Sequence, residues 1–254
     1  MTAVAANLLS HDAVAPHLRG RFGTPYLYEP ACESTQLLLL GSGLPAGAVA
    51  VTDHQTAGRG RMGRAWIAPP GTALLTSILL RPPGGRHLPE LSLVAALATS
   101  EAVEVATSLP AQVKWPNDVM VNRRKVAGIL SELSEGAVVV GIGVNVNQTR
   151  DDLPSDVPTP TASLRTLTGT TYDRGALLGS LLTHLERMHD AWLQGGLDAL
   201  YEDLGARDFL RGRRVTTDGE TGTAVRIRRD GRLEVELDAG GRLVIESGEV
   251  AFER

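Results

Sequence analysis

The chain has 254 residues with 25 Lys and Arg against 29 Asp and Glu, a formal charge of −4, and 43% of it is apolar. This apolar fraction is ordinary for a globular protein with a proper core, and the slightly acidic balance argues against a nucleic-acid binder, so no DNA partner is expected. No apolar run approaches the roughly 20 residues of a membrane span, and the N-terminus lacks the pattern of a signal peptide. The single Cys32 excludes an intrachain disulfide and favours a reducing, cytoplasmic location.

The first half of the chain predicts strands, turns and one long helix. Residues 1–24 predict a short helix or a loose arm. Ser34 and Thr35 precede Gln36–Leu40, which contains four consecutive leucines and predicts a capped helix ending near Gly41 or Gly43, although the same hydroxyls could instead bind a ligand. Further elements are predicted as strands at Tyr26–Tyr28, Ala48–Thr52, Ala73–Leu80, Val119–Val121, Lys125–Leu133 and Ala137–Val146, and as a helix at Glu90–Ser108.

The second half of the chain predicts a loop, then two helices, and then a group of short strands. Residues 149–173 are rich in Pro, Thr and Asp and predict a loop, after which Arg174–Leu193 and Asp198–Leu210 predict helices. From Arg211 onward, short alternating segments separated by Gly-containing turns predict a small β-barrel. Its predicted strands are Arg213–Thr217, Thr221–Arg229, Leu233–Asp238 and Arg242–Glu246. The expected division is therefore an arm over 1–24, a main domain over 25–209 and a barrel over 210–254.

One stretch, Gly58–Trp66, reads GRGRMGRAW and carries the strongest chemical pattern. Gly58, Gly60 and Gly63 match G-x-G-x-x-G, but a dinucleotide-binding loop must open into a helix. Prolines at positions 69 and 70 leave no room for that helix, which excludes a Rossmann site.

The arginines of the same stretch support anion binding. Arg59, Arg61 and Arg64 can surround a ligand with several negative groups, since a guanidinium grips carboxylate or phosphate with two hydrogen bonds. The alternative is a solvated basic loop, which is common in proteins.

Two further positions are ambiguous on pattern alone. Asn117 and Asp118 follow Trp115-Pro116 at a turn and fit either an Asx-turn or a ligand contact. Lys125 begins a strand, where an exposed edge lysine is usually only a solvated charge.

Taken together, GRGRMGRAW, KWPNDVMVNRRKVAGIL and GIGVNVN, in this order and spacing, resemble the catalytic core of bacterial biotin protein ligases. The resemblance covers roughly residues 25–254. It implies an α+β fold with a mixed sheet and flanking helices, similar to class II aminoacyl-tRNA synthetases, followed by an SH3-like domain. It also implies an activity: biotin and ATP, with Mg²⁺, give biotinoyl-5′-adenylate, whose acyl group passes to a lysine of a biotin carboxyl carrier protein.

The resemblance also implies roles for individual residues. Those expected to bind biotin are Ser34, Thr35, Gln36, Gln55, Arg59, Gly60, Arg61, Lys125, Gly128 and Gly143. Those expected to bind ATP or the adenylate are Arg61, Arg64, Trp66, Asn117, Lys125 and Asn145. Lys125, Arg59 and Arg61 would neutralise the two anions that react, and Asp118 would orient or deprotonate the acceptor lysine. Gly128, Gly141 and Gly143 would let the backbone approach the ligand. The metal ligands stay open.

The resemblance sets expectations about partners and rivals. Fewer than about 30 residues precede the core, too few for the DNA-binding repressor domain of some relatives, which would need 50 or more, so no repressor activity is expected. Homodimerisation through a sheet edge is expected, with the strand around Ala137–Val140 as candidate. The alternatives are a lipoate or octanoate ligase of the same fold and a biotin-sensing regulator without transferase activity.

Overall fold

Two β-sheets organise the chain, and the structure, a computed structural model, describes residues 8–84, 88–134 and 136–253. The α-helices of these residues are α1 His11–Val14, α2 Glu90–Thr107, α3 Leu164–Thr168, α4 Arg174–Gly195 and α5 Tyr201–Ala206. The first seven strands are β1 Tyr26–Glu29, β2 Val49–Thr52, β3 Ala73–Leu80, β4 Ala111–Lys114, β5 Asp118–Val121, β6 Arg124–Ser134 and β7 Ala137–Asn145. The last five are β8 Arg214–Thr217, β9 Glu220–Ile227, β10 Leu233–Leu237, β11 Arg242–Ile245 and β12 Ala251–Phe252.

The larger sheet has seven strands in the order β1-β2-β3-β7-β6-β5-β4. Strands β1 and β2 are parallel, whereas every other neighbouring pair is antiparallel. The helices α2 and α4 pack on each other and on one face of this sheet, which buries the apolar side chains of that face, among them Ile129 and Ile142. The expected mixed sheet with flanking helices is confirmed.

The smaller sheet is antiparallel, with the order β11-β10-β9-β8-β12. The four strands predicted after Arg211 are confirmed to within two residues, and the short β12 is an addition. Buried residues of this sheet, such as Val215 and Leu233, belong to the same apolar cluster as Ile129 of the large sheet. The N-terminal residues Leu9 and Val14 belong to this apolar cluster as well. The described part of the N-terminal segment is therefore packed rather than loose; residues 1–7 lie outside the described residues.

The helix predicted at Gln36–Leu40 is wrong. The segment forms successive turns, with the Leu37 N–H donating to the Ser34 carbonyl and the Leu39 and Leu40 N–H groups to that of Gln36. The Thr35 hydroxyl does not cap a helix, because it bonds Ser77 and Gln55 instead. A five-residue segment with four leucines is too short to form a helix against such tertiary contacts.

The helix predicted at Asp198–Leu210 is only partly correct. A 3₁₀ turn, Gly196–Leu200, leads into α5, which ends at Ala206. The Asp208 carboxylate accepts the backbone N–H groups of Leu210 and Ile227 and so ties this segment to β9. Residues 149–173 are mostly loop as predicted, but α3 lies within them, with Ser163 as its N-cap.

Two expectations about strand edges are wrong. Strand β7, with Ala137–Val140, lies between β3 and β6, and β6, which carries Lys125, lies between β7 and β5. The order of strands depends on long-range pairing that the local pattern does not contain. The edges of the large sheet are β1 and β4, so β7 offers no edge for a homodimer.

A buried ion pair anchors the end of β2. Arg174, whose side chain is 1% exposed, donates to Asp53 at 2.6 Å and to the Ala73 carbonyl at 3.0 Å. The hydroxyl of Tyr28 donates to the same carboxylate, and burial is the main reason that the pKa of Tyr28 rises to about 12. None of the helices in the described ranges is long and apolar enough to cross a membrane.

Replacing Arg174 by Met should lower the free energy of unfolding by about 3–5 kcal/mol, because it leaves the Asp53 carboxylate charged and buried without its partner. Urea unfolding at neutral pH measures the change. The control is Arg229→Met, which breaks the exposed pair with Asp198, whose side chains are 64% and 61% exposed, and should leave the midpoint near wild type. Equal shifts in the two variants would contradict the structural role of the buried pair.

Candidate active site

A cavity of about 570 Å³ lies on the face of the large sheet that α2 and α4 leave uncovered. Its walls are the open face of the sheet, the GRGRMGRAW segment and part of the small sheet. All the site residues predicted from the sequence line it: Ser34, Thr35, Gln36, Gln55, Arg59, Gly60, Arg61, Arg64, Trp66, Asn117, Asp118, Lys125, Gly128, Gly143 and Asn145. The cavity therefore brings together side chains from segments more than a hundred residues apart.

One end of the cavity is polar and uncharged. The Gln55 side-chain oxygen accepts the Thr35 backbone N–H at 2.9 Å, and the Thr35 and Ser77 hydroxyls lie 2.7 Å apart. Gln36 donates its side-chain amide to the Leu130 carbonyl at 3.0 Å. Ser34, Thr35 and Gln36 are all buried, so this corner holds hydrogen-bonding groups away from bulk water.

The GRGRMGRAW segment forms a tight hairpin over the cavity. The Gly60 N–H donates to the Arg64 carbonyl at 2.7 Å, and the Trp66 N–H to that of Gly58 at 2.9 Å. Its tip is a single 3₁₀ turn, Arg61–Gly63, in which Met62 has a positive φ of 56°. No helix opens from the glycines, in agreement with the rejection of a dinucleotide-binding loop.

The indole of Trp66 lies directly against the sheet. A Cβ atom on Gly143 would stand 2.6 Å from the ring, and one on Gly128 would stand 3.1 Å from it. In this structure Trp66 fills the space over both of these glycines and Gln36 lies over Gly141, so the approach of a ligand to the backbone at these positions stays a prediction. The buried indole N–H has no hydrogen-bond partner among the described residues, which leaves it free to donate to a ligand.

Lys125 and Asp118 form the central ion pair. Their charged atoms lie 2.6 Å apart, with side-chain exposures of 23% and 13%, and the ammonium also lies 5.8 Å from the centre of the Trp66 ring. Lys125 is thus a half-buried, paired cation on an interior strand, and the reading of an exposed edge charge is wrong.

Each arginine of the hairpin has a partner in the protein. Arg59 pairs with Glu132 at 2.8 Å, and Arg64 pairs with Glu249 of the segment before β12. Arg61 donates to the Asn117 side chain at 3.3 Å, and burial is the main cause that lowers the pKa of its guanidinium. An anion bound beside Arg61 would stabilise the charged guanidinium and oppose the effect of this desolvation on its pKa.

The two predicted asparagines are held by the backbone around them. Asn117 donates its side-chain amide to the carbonyl of Ile129 in β6 at 2.7 Å. Its side chain therefore bonds the neighbouring strand and does not form an Asx-turn. Asn145 donates to the Ala162 carbonyl at 3.2 Å and accepts from Gln148 at 2.9 Å. Both amides line the cavity with their orientation fixed.

Several lining residues were missed by the sequence reasoning. They include Ser77 and Lys114, the loop residues Pro154, Val157, Pro158, Thr159 and Thr161, and the small-sheet segments 216–218 and 248–252. Lys114 immediately precedes Trp115 in a motif that was quoted, so its charge was an available signal. The small-sheet contribution had no local signal, because it depends on how the two sheets pack.

Replacing Gly143 by Ala should destabilise the protein by about 1–3 kcal/mol through overpacking, because the new methyl group meets the Trp66 ring. Adding Trp66→Leu should restore most of that loss, since the smaller side chain makes room. Thermal unfolding of the single and double variants gives the coupling. The control is Gly205→Ala in α5, where a Cβ has nothing within 4 Å and the change should be neutral or slightly stabilising. A Gly143→Ala protein as stable as wild type would contradict the packing.

Comparison with known proteins identifies relatives over most of the chain. Residues 31–148 match the Biotin/lipoate A/B protein ligase family. The bifunctional ligase/repressor BirA of Bacillus spizizenii is 34% identical over 86% of this chain and 71% of its own length. The biotin–[acetyl-CoA-carboxylase] ligase of Mycobacterium tuberculosis is 36% identical over 82% of this chain and 80% of its own.

A solved structure agrees with these sequence matches. The biotin protein ligase of Aquifex aeolicus in complex with biotin and ATP is 32% identical and superposes with a TM-score of 0.81, covering 90% of this chain and 98% of that one. The fold, the order of the motifs and the relatives agree, and the chain belongs to the biotin protein ligase branch of the Biotin/lipoate A/B protein ligase family.

Proposed function

We infer that this chain is an ATP-dependent biotin protein ligase, a biotin–[acetyl-CoA-carboxylase] ligase. It activates biotin as biotinoyl-5′-adenylate and transfers the acyl group to a lysine of a biotin carboxyl carrier domain. The observation that carries this is one cavity in which an uncharged polar corner, at Thr35 and Gln55, continues into a cluster of cations. A ligand with a polar ring at one end and a carboxylate at the other fits that arrangement.

We propose that the polar corner binds the ureido ring of biotin. Ser34, Thr35, Gln36 and Gln55 offer both donors and acceptors there. Because Gly128 and Gly143 have no side chains, the Trp66 indole packs directly on the sheet and can provide an apolar surface beside the ligand. Binding a polar ring in a buried corner is selective, because an analogue that lacks the polar atoms leaves buried groups unpaired.

The adenylation step brings two anions together, and the cations of the cavity can reduce the repulsion between them. We propose that Lys125 and Arg61 bind the biotin carboxylate and the α-phosphate of ATP where the two meet, with the more exposed Arg59 and Arg64 contributing positive charge nearby. We propose that the ligand anions take the place of the present partners Asp118, Asn117, Glu132 and Glu249. Electrostatic stabilisation of this kind needs no proton transfer. Trp66, Asn117 and Asn145 are the proposed contacts to the nucleotide.

Mg²⁺ belongs to the proposal as a companion of ATP. Among the described residues, no group of three or more His, Cys, Asp or Glu side chains is arranged to hold a metal ion. Mg²⁺ at nucleotide sites is commonly held by substrate phosphates, water and one or two carboxylates. The carboxylates available to it in the cavity are Asp118, Asp218 and Glu249, and the ion would neutralise part of the phosphate charge.

The transfer step requires a neutral amine from the acceptor lysine. We propose that Asp118, once released from Lys125, orients that amine and accepts its proton. The partner is then a carrier domain of a biotin-dependent carboxylase, and the lone Cys32 suits the reducing cytoplasm in which such carriers act. Homodimerisation stays a prediction, although not through β7, and sedimentation with and without ligands tests it.

The rival within the same family is a lipoate or octanoate ligase. Fatty acyl chains have no polar ring for Thr35, Ser77 and Gln55, so the buried groups of the corner would lose hydrogen bonds to such a ligand. Calorimetric titration with biotin and lipoate separates the two, and tighter binding of lipoate would overturn the assignment. A sensor without transferase activity is separated by the transfer assay itself.

The wild-type chain should biotinylate a purified carrier domain in the presence of biotin, ATP and Mg²⁺, and intact-mass spectrometry detects the product. Lys125→Met should lower the rate of adenylate formation by about 100-fold or more, because a cation at the reacting centre is lost. The matched control is Arg124→Met, the neighbouring residue of β6, which does not line the cavity and should keep near-normal activity.

Circular dichroism and thermal unfolding establish that both variants are folded. Near-normal adenylate formation by Lys125→Met would eliminate the proposed role of this lysine. A wild-type chain that modifies no carrier lysine, while binding biotin and ATP, would favour the sensor.

A further inference from the structure

Lys114 is a buried cation without a counter-ion. It is the last residue of β4, lines the cavity and is 6% exposed. Among the described residues, its ammonium has no hydrogen bond and no ion pair, and the nearest ring is that of Phe252 at 5.9 Å. Burying an ammonium without a partner is costly, so an anion that binds beside Lys114 in the cavity would be stabilised by it.

The composition of the chain gives a second, independent indication. Of its 25 basic residues only two are lysines, Lys114 and Lys125, and both line the cavity. Arginine supplies positive charge everywhere else in this sequence. An ammonium is a compact charge with three donors that can turn toward a phosphate, so the two lysines occupy the positions where that property is useful.

The sheet register places Lys114 at the far end of the cavity from the polar corner. One cross-strand row runs from Leu75 through Gly143, Gly128 and Asp118 to Lys114. Neighbouring strands are about 4.8 Å apart, so this row spans about 19 Å. The polar corner at Ser77 lies over β3, Lys125 extends from β6, and Lys114 lies two strands farther on.

We propose that Lys114 binds the pyrophosphate that leaves ATP during adenylation, at a subsite between β4 and the small sheet. This rests on the proposed ligase function. A biotin carboxylate oxygen attacks the α-phosphorus, and the bond from that phosphorus to the oxygen bridging the α- and β-phosphates breaks. The electron pair of that bond leaves with pyrophosphate on the side opposite the attack, which points away from the polar corner and toward Lys114.

The surroundings of Lys114 fit a polyanion. Burial is the main cause that lowers the pKa of its ammonium, Asp118 and Glu249 oppose that effect, and Lys125 and Arg64 add to it. Phosphate charge beside the ammonium would offset the desolvation. Thr216, Thr217 and Asp218 of the small sheet line the same end of the cavity, and the two hydroxyls are further donors for phosphate oxygens.

The test is the biotin-dependent exchange of labelled pyrophosphate into ATP, measured for the full chain. Lys114→Met should raise the KM for pyrophosphate by about 10- to 100-fold, the size expected for a lost charge-assisted hydrogen bond. Lys114→Arg should retain part of the affinity, because it keeps the charge. Transfer from chemically prepared biotinoyl-adenylate to a carrier domain should stay within about twofold of wild type, since pyrophosphate has already left.

Arg123→Met is the matched control. Arg123 bonds the Glu253 carbonyl at the contact between the two sheets but does not line the cavity, so its loss should not alter the KM for pyrophosphate. If Lys114→Met does not fold, Lys114→Gln provides the same comparison.

An unchanged KM for pyrophosphate in a folded Lys114 variant would overturn the proposal, and so would an equal loss of exchange and of transfer, which indicates a structural role. A wild-type chain without any biotin-dependent exchange would instead overturn the ligase function on which the proposal rests.

Discussion

The ion pair between Lys125 and Asp118 is the interaction on which the arrangement of the cavity depends. Five cationic side chains line one partly enclosed space: Arg59, Arg61, Arg64, Lys114 and Lys125. Like charges at such distances repel strongly where water is scarce. Asp118 holds Lys125, and Glu132 and Glu249 hold two of the arginines, so most of the charge is balanced by exchangeable partners. When substrate anions bind, they can replace these carboxylates as partners of the cations. The same cations therefore form stabilising ion pairs in the protein alone and contact the reacting groups during catalysis.

The sequence was sufficient for most of the fold, and its failures have physical causes. Strands such as Ala73–Leu80 and the long helices were predicted to within two residues, because their apolar periodicity reflects burial on one face. Gln36–Leu40 was predicted to be a helix, but its turns are decided by contacts of Thr35 with Ser77 and Gln55. The interior positions of β6 and β7 could not be predicted, since strand order depends on pairing between distant segments.

The residues predicted from three motifs and a family resemblance all line one cavity, whereas the contacts among them were not predicted. Local sequence could not show that Trp66 covers Gly128 and Gly143, or that Lys125 is held by Asp118. Lys114 was overlooked although it lies in a quoted motif, because alternation along so short a strand does not reveal which face is a cavity. The part of the small sheet in the site depends on the packing of two sheets and has no local pattern.

A crystal structure of the chain with a non-hydrolysable analogue of biotinoyl-5′-adenylate would test the central claim most directly, since it reports where each part of the ligand binds. We expect the ureido ring beside Thr35 and Gln55, and the linkage that replaces the phosphate within hydrogen-bonding distance of Lys125, with Asp118 no longer paired to that ammonium. An analogue bound outside this cavity, or one that leaves the Lys125–Asp118 pair intact and untouched, would contradict the account.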